Sequence, residues 1–426
     1  MRLFRYLAVA LCLFLTLVMA TAAVAAGKPK PVKPPTKQTQ VIRAEVYKKM
    51  EVAQKAFDAK DYTGALSGLE ALKSGYDKLN DYEKATLWSL YGAVYYAKND
   101  TKAAISAYIK ELRQPNLPDG LRDAGLHTLA QLYFIVEDYD KAIVVIRNWI
   151  RVSTEPQPDG YVLLAQAYFQ KNKFGEAEKA LIQSLRIEKQ KGIAPKESAL
   201  ALLRAVFYEQ KQYPKSAKVL EILIGLSPEN ASYWQQLAGM YGLLERQGDQ
   251  LHVMHAAYRA SLMNNEGDLL NLARLYMVQN VPYPAAVLLG KAMMTGAIKT
   301  NSETLQLYAQ ALLLAKEYEK QIPVLKQLAE MTGESKHYVF LGQAYQQFDD
   351  WTNAAQALRA ALKAKNVSKQ AEIEVQLGNA LYSAGKLEEA REVFATAAQT
   401  PATAQTAASW VKFVTSEIQR KQALSR

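Results

Sequence analysis

A small residue, glycine or alanine, returns along this chain at nearly constant intervals and brings the same neighbours each time. Gly92, Ala130, Ala165, Ala205, Ala238, Ala273, Ala309, Gly342 and Gly378 are separated by 38, 35, 40, 33, 35, 36, 33 and 36 positions. A large apolar residue precedes the small one by four and a tyrosine follows it by three. Trp88-x-x-Tyr91-Gly92-x-x-Tyr95, Leu126-x-x-Leu129-Ala130-x-x-Tyr133 and Tyr161-x-x-Leu164-Ala165-x-x-Tyr168 show the pattern. Trp234-x-x-Leu237-Ala238-x-x-Tyr241, Leu269-x-x-Leu272-Ala273-x-x-Tyr276 and Tyr338-x-x-Leu341-Gly342-x-x-Tyr345 repeat it. A second alanine follows twelve residues on, at Ala104, Ala142, Ala177, Ala217, Ala285, Ala354 and Ala390. Ala53 and Ala65 fit an earlier copy, which makes about ten copies over residues 42–400. Apolar residues recur at three and four positions, with proline and glycine between the runs, so each copy reads as two helices joined by a short polar turn. No alternating strand pattern appears. One copy cannot bury its apolar stripe alone, so neighbours must stack.

These residues resemble the tetratricopeptide repeat family, whose period is about 34. The resemblance implies an all-α fold, a right-handed superhelical solenoid of about ten helix-turn-helix units. The small residue lets the two helices of a unit approach. Trp88, Gly92, Tyr95, Ala130, Tyr133, Ala165, Tyr168, Trp234, Ala238, Tyr241, Gly342 and Tyr345 are the expected packing residues. Residues 401–426 are expected to close the array as a capping helix, with Trp410, Phe413, Val414 and Ile418 on its packed face. Three places depart from the pattern. Gln250 and Gln321 stand where the second alanine is expected, with Pro323 two residues beyond the latter, and Glu188 to Glu197 reads as a longer loop between units. A change of pitch or a hinge is expected there.

The N-terminus reads differently. Arg2 and Arg5 precede an uncharged run from Tyr6 to Ala26 that ends Ala23-Val24-Ala25-Ala26. Small residues at alternate positions suit a signal peptidase, so residues 1–26 are expected to be a signal peptide cleaved after Ala25 or Ala26. The other reading is an uncleaved anchor, since the run is long enough to span a bilayer. Cys12, the one cysteine of the chain, lies inside this run. The mature chain would then carry neither disulfides nor thiolate chemistry.

Residues 27–41 form a Lys/Pro-rich tether with four prolines and four lysines between Gly27 and Gln40. In the polyproline II conformation it would reach roughly 40 Å. It reads as a solvated spacer, with peripheral contact to anionic inner-membrane headgroups as the other reading. Without Arg2 and Arg5 the net charge of +11 falls to +9, and the tether lysines carry four of that. The folded part is only mildly basic, which excludes a basic nucleic-acid footprint.

No catalytic constellation is found. The chain has no phosphate-binding glycine loop. His252 and His255 share a helix face, but zinc normally takes three or more protein ligands, so no metal and no cofactor are expected. Asp349-Asp350 and Glu388-Glu389 fall at turns and helix starts, where a carboxylate caps a helix. The tetratricopeptide resemblance places a peptide-binding groove along the first helix of each unit. The expected groove residues are His127, Gln131, Phe134, Val162, Gln166, Phe169, Gln170, Arg274, Met277, Gln306, Gln310, Gln343, Gln346, Gln347, Asn379 and Tyr382. Amides dominate, and an amide both donates and accepts. The lysine, asparagine and arginine with which chaperone-type members clamp a terminal carboxylate are not in the matching places.

The chain therefore reads as a non-enzymatic, exported scaffold that binds other proteins in the periplasm or envelope. Its layout is similar to tetratricopeptide proteins that accompany TonB–ExbB–ExbD systems. The alternative is an assembly factor for an outer-membrane, cell-wall or polysaccharide-secretion complex.

Overall fold

The computed structural model describes residues 41–153 and 157–424. The expected signal peptide, Cys12 and the tether up to Gln40 lie outside the described residues. The chain divides into two compact bodies, the first ending at Gly125 and the second beginning at Leu126. The division falls within α5.

The first body holds α1 (Ala44–Asp58), α2 (Tyr62–Lys73), α3 (Asp81–Ala97) and α4 (Thr101–Leu112), then the start of α5 (Asp119–Ile135). The second continues with α6 (Tyr139–Val152), α7 (Pro158–Gln170), α8 (Phe174–Gln190), α9 (Glu197–Glu209) and α10 (Tyr213–Leu226). Next come α11 (Ala231–Leu243), α12 (Gln247–Arg259), α13 (Glu266–Val278), α14 (Pro282–Met294), α15 (Ser302–Leu314) and α16 (Tyr318–Thr332). The last are α17 (Ser335–Gln346), α18 (Trp351–Lys363), α19 (Gln370–Ser383), α20 (Leu387–Ala397) and α21 (Ala404–Leu424). From α6 to α21 each helix packs on the next, and α1 to α4 do the same in the first body. The helices α1 to α20 follow one another as ten sequential pairs, and each body is a stack of such helical repeats. Among the described residues, no helix is long and apolar enough to cross a membrane.

One turn geometry joins the two helices of every pair. A residue with positive φ ends the first helix in all ten: Lys60, Asn99, Glu137, Asn172, Lys211, Glu245, Asn280, Lys316, Asp349 and Gly385. The next residue then donates its N–H to a carbonyl five positions back, as from Asp100 to Tyr95, Asp138 to Tyr133 and Asp350 to Tyr345. This closes the first helix by satisfying a carbonyl that would otherwise be orphaned. Asp61, Asp100, Asp138 and Asp350 then cap the second helix, each side chain accepting from a backbone N–H three residues on. Glu388 and Glu389 lie in the first turn of α20.

The small residues work by contact. A Cβ at Gly92 would lie 2.5 Å from the Tyr108 ring, and one at Gly378 would lie 2.6 Å from the Phe394 ring. Gly342 faces Leu358 in the same way, at 2.9 Å. In each case the partner is sixteen residues on, in the second helix of the pair. The second alanines Ala104, Ala142, Ala177, Ala285, Ala354 and Ala390 are fully buried. Of the expected packing residues, Gly92, Ala130, Tyr133, Ala165, Tyr168, Ala238, Tyr241 and Gly342 are buried, while Trp88, Tyr95, Trp234 and Tyr345 are half-buried.

Three expectations need correction. In the α9/α10 pair the register moves by one residue. The positive-φ residue is Lys211 and the turn closes from Gln212 to Phe207. Counting back from that turn, Arg204 occupies the small-residue position and Ser216 the alanine position. Ser216 Oγ donates to the Arg204 carbonyl at 3.2 Å, and Ala205 is only half-buried. The spacing of 40 comes chiefly from the long α8 and the 191–196 connection, since the shifted position still lies 39 residues from Ala165. The long loop is also shorter than expected, because α8 runs to Gln190 and α9 begins at Glu197. Helix α21 packs through buried Val414 and Ile418, and Trp410 stacks on Phe394 at 5.3 Å between centroids. Phe413, expected on the packed face, is 46% exposed and sits at its edge beside Tyr382.

Two buried carboxylates of the first body behave oppositely. Glu83 accepts from Asn80 N and Arg43 N, and from Arg43 Nε and Nη2 at 3.0 and 2.7 Å. Burial pushes its pKa up, but the Arg43 and Asn80 hydrogen bonds outweigh that and leave it below the ordinary value. Glu111 is fully buried, and the Ser89 hydroxyl beside it offsets only part of the cost of burial. Burial raises its pKa from 4.5 to about 8.

The raised Glu111 makes the folded state bind the extra proton. Its contribution is fully present below pH 4.5 and is lost as pH rises toward about 8. Glu111→Gln is expected to remove that slope and to be the more stable chain near pH 8, by on the order of 3 kcal/mol. Denaturant unfolding at pH 5 and pH 8 measures it; equal slopes in both chains would contradict the assignment. The glycines give opposite signs. Gly378→Val should lower stability by about 1–3 kcal/mol through overpacking against Phe394. Gly239→Ala, on α11 with nothing near its would-be Cβ, should raise it by about 0.5–1 kcal/mol. Thermal unfolding of the two variants measures both.

Candidate functional site

The residue after each small residue is turned about 100° around the helix, away from the paired helix. The structure exposes Gln131, Gln166, Arg274, Gln310 and Gln343 at that position and leaves Asn379 half-buried. In the second body these side chains lie on one face of the successive first helices. Neighbouring pairs are linked there by hydrogen bonds. Gln235 Nε2 donates to Asp268 Oδ2 at 2.8 Å, Arg274 Nη2 to Glu303 Oε1 at 3.1 Å, and Gln343 Nε2 to Gln376 Oε1 at 3.1 Å.

A cavity of about 510 Å³ opens on this face between α15, α16 and α17. Gln306 and Gln310 line it from α15, Phe340, Gln343, Gln346 and Gln347 from α17 and its C-cap, and Gln321, Leu325 and Leu328 from α16. Its floor is apolar, with Ala309, Leu325, Leu328 and Ala344 buried. Its mouth carries two exposed large apolar residues, Leu313 and Phe340. No charged side chain is among the lining residues.

Two departures from the repeat pattern lie in α16, which forms one wall of the cavity. Gln321 occupies the position that is a buried alanine in most pairs. It is itself 5% exposed, and its Nε2 donates to the Ala309 carbonyl at 3.0 Å. A long, hydrogen-bonded amide stands in the cavity wall where a methyl group is usual. Pro323, inside the same helix, lacks an N–H and cannot join the helical ladder. The other glutamine at this position, Gln250, lines a second cavity of about 140 Å³ with Trp234, Gly239 and Asn271.

The structure therefore gathers the expected Gln306, Gln310, Gln343, Gln346 and Gln347 around one cavity. Other expected groove residues have different partners. Phe134 and Phe169 pack against Tyr139 and Phe174 at 5.5 and 5.4 Å, bracing the turn between their two helices. Val162 is buried, which corrects its placement on the open face. Tyr382 packs with Trp410 and Phe413. Arg274 is held by Glu303, and Met277 packs against the core. His127 stacks near Trp149 and meets Gln131, while Gln166 and Gln170 are exposed.

Gln321, Leu313, Leu325, Leu328 and Phe340 were not expected in the site. The broken alanine pattern marked Gln321, but as a change of pitch rather than as an opening. His252 and His255 are both exposed, and His255 Nδ1 faces the Tyr276 hydroxyl. Among the described residues no group of three or more His, Cys, Asp or Glu side chains is placed to hold a metal ion.

Residues 158–191 match one family model described as tetratricopeptide repeat, and residues 341–405 match a second with the same description. They cover the α7/α8 pair and the chain from α17 to the start of α21. No curated protein matches the chain. Among solved structures it is similar to a tetratricopeptide repeat protein from Parabacteroides merdae ATCC 43184, at 14% identity and a TM-score of 0.39, covering 63% of this chain and 98% of that one. It is similar to MamA protein at 20% identity and a TM-score of 0.36, covering 42% and 91%. The TPR2AB domain of yeast Sti1, in a complex with pHSP90, matches at 13% identity and a TM-score of 0.36, covering 61% and 99%. One turn geometry in all ten helix pairs makes this a helical repeat protein, and residues 158–191 and 341–405 of it match tetratricopeptide repeat models.

Proposed function

We propose that the chain is an exported scaffold of the cell envelope that holds partner proteins on the open face of its first helices. Tetratricopeptide repeats mediate protein–protein interaction, and the observation that carries the reading here is the uncharged, amide-lined cavity between α15 and α17. An amide-rich surface over an apolar floor suits a protein segment, which offers main-chain donors and acceptors together with apolar side chains. Export rests on the charged start, the uncharged run and the Ala23-Val24-Ala25-Ala26 end. A place beside a TonB–ExbB–ExbD complex rests on the order of leader, Lys/Pro tether and repeats.

Photo-cross-linking residues introduced singly at Gln131, Gln166, Gln310 and Gln343 are expected to give discrete protein adducts in cells. Positions on the outer face, such as Val144, which is exposed on α6, should give none. Fractionation should place the chain in the periplasm with residues 1–26 removed. TonB-system components among the adducts would support the finer reading, and their absence would remove it. No adduct at any of the four positions would remove the scaffold reading itself.

A further inference from the structure

The cavity between α15, α16 and α17 is specific enough in its chemistry to name what it takes. We propose that it seats one large uncharged side chain of an extended partner segment, whose main chain is held by the glutamines at the mouth. This rests on the scaffold reading above and adds to it the site and the character of the ligand.

Three observations lead there. The lining is neutral throughout, so a charged group entering it would lose hydration and find no counter-charge. The floor of Leu325, Leu328 and Ala309 is buried and apolar, and about 510 Å³ is within the range of sites that enclose a sizeable group. Around that floor the amides are available. Gln306, Gln310, Gln346 and Gln347 have no side-chain hydrogen-bond partner among the described residues, whereas Gln343 and Gln321 are engaged with Gln376 and the Ala309 carbonyl. An extended chain presents alternating N–H and C=O groups, which free amides match in both senses. Phe340, 47% exposed, and Leu313 stand at the edge, where an entering apolar side chain would cover them.

The opening is also an exception within the array. Most second helices bring an alanine to this contact, and α16 brings Gln321. The site is built by this pair and the first helix of the next. A neutral sugar could also use amides and an exposed ring, but the leucine floor favours an apolar side chain.

The experiment pans a displayed library of random twelve-residue peptides against the full chain, with Gln310→Trp and Phe340→Ala as variants. Gln310 is exposed, so a tryptophan there blocks the mouth without entering the core. Phe340 is 47% exposed, so an alanine there strips apolar surface from the mouth and leaves the core intact. Enriched peptides are expected to be uncharged around one shared Leu, Phe, Met or Ile. Their affinity should fall at least about tenfold in both variants, while circular dichroism and melting temperature show both folded. Raising the salt should change affinity less than about threefold, because no ion pair forms.

Charged, salt-sensitive peptides would overturn the proposal. So would peptides that bind Gln310→Trp as well as the parent, no enrichment at all, or competition by neutral oligosaccharides alone. The two readings fail separately. Protein adducts at Gln131 and Gln166 without a peptide effect in Gln310→Trp would sink the cavity and spare the scaffold, whereas no adducts anywhere would sink both.

Discussion

The close approach of two helices, made possible by a residue almost without a side chain, is the contact on which every pair except α9/α10 depends. Gly92, Gly342 and Gly378 leave no room for even a Cβ beside Tyr108, Leu358 and Phe394. The fully buried alanines twelve residues further on serve the same end from the other helix. Once the gap is small, the large residues around it are buried by geometry rather than by any affinity of their own. Dense packing then makes each pair sensitive to a single added or missing methyl group.

The turns hold this contact in register. A residue at positive φ costs an L side chain about 1–2 kcal/mol, yet Lys60, Glu137, Lys211, Glu245 and Lys316 all adopt it. They do so because the following N–H must reach back five residues to close the helix. The α9/α10 pair shows which element governs. There the turn keeps its geometry, and the small-residue position slides onto Arg204, with Ser216 bonding the Arg204 carbonyl across the gap. Turn geometry outranks residue identity where the two conflict.

Much of this was legible in the sequence because the repeat is periodic in residues that pack. The helix pairs, their turns and the buried alanines follow from spacing and size alone. The α9/α10 register was not legible, since Ala205 and Ala217 mimic the pattern one residue away from where the turn places it. The site was half legible. The glutamines at Gln306, Gln310 and Gln343 could be placed on the open face by counting around a helix. Counting could not show that Phe134 and Phe169 brace a turn, because their partners Tyr139 and Phe174 come from the next helix. Nor could it show that Gln321 lines a volume. A volume is a property of three helices together, and no residue declares it in isolation.

The placement of Gln321 has an evolutionary consequence. It lies at the seam inside one pair, so exchanging that residue alters the local surface while leaving the turns and the adjoining pairs as they were. In an array of near-identical parts, new recognition can thus arise from a substitution at one seam, with inheritance of the frame left undisturbed. Gln250 at the α11/α12 seam, with its smaller void, is a second instance of the same variation at a different place along the chain.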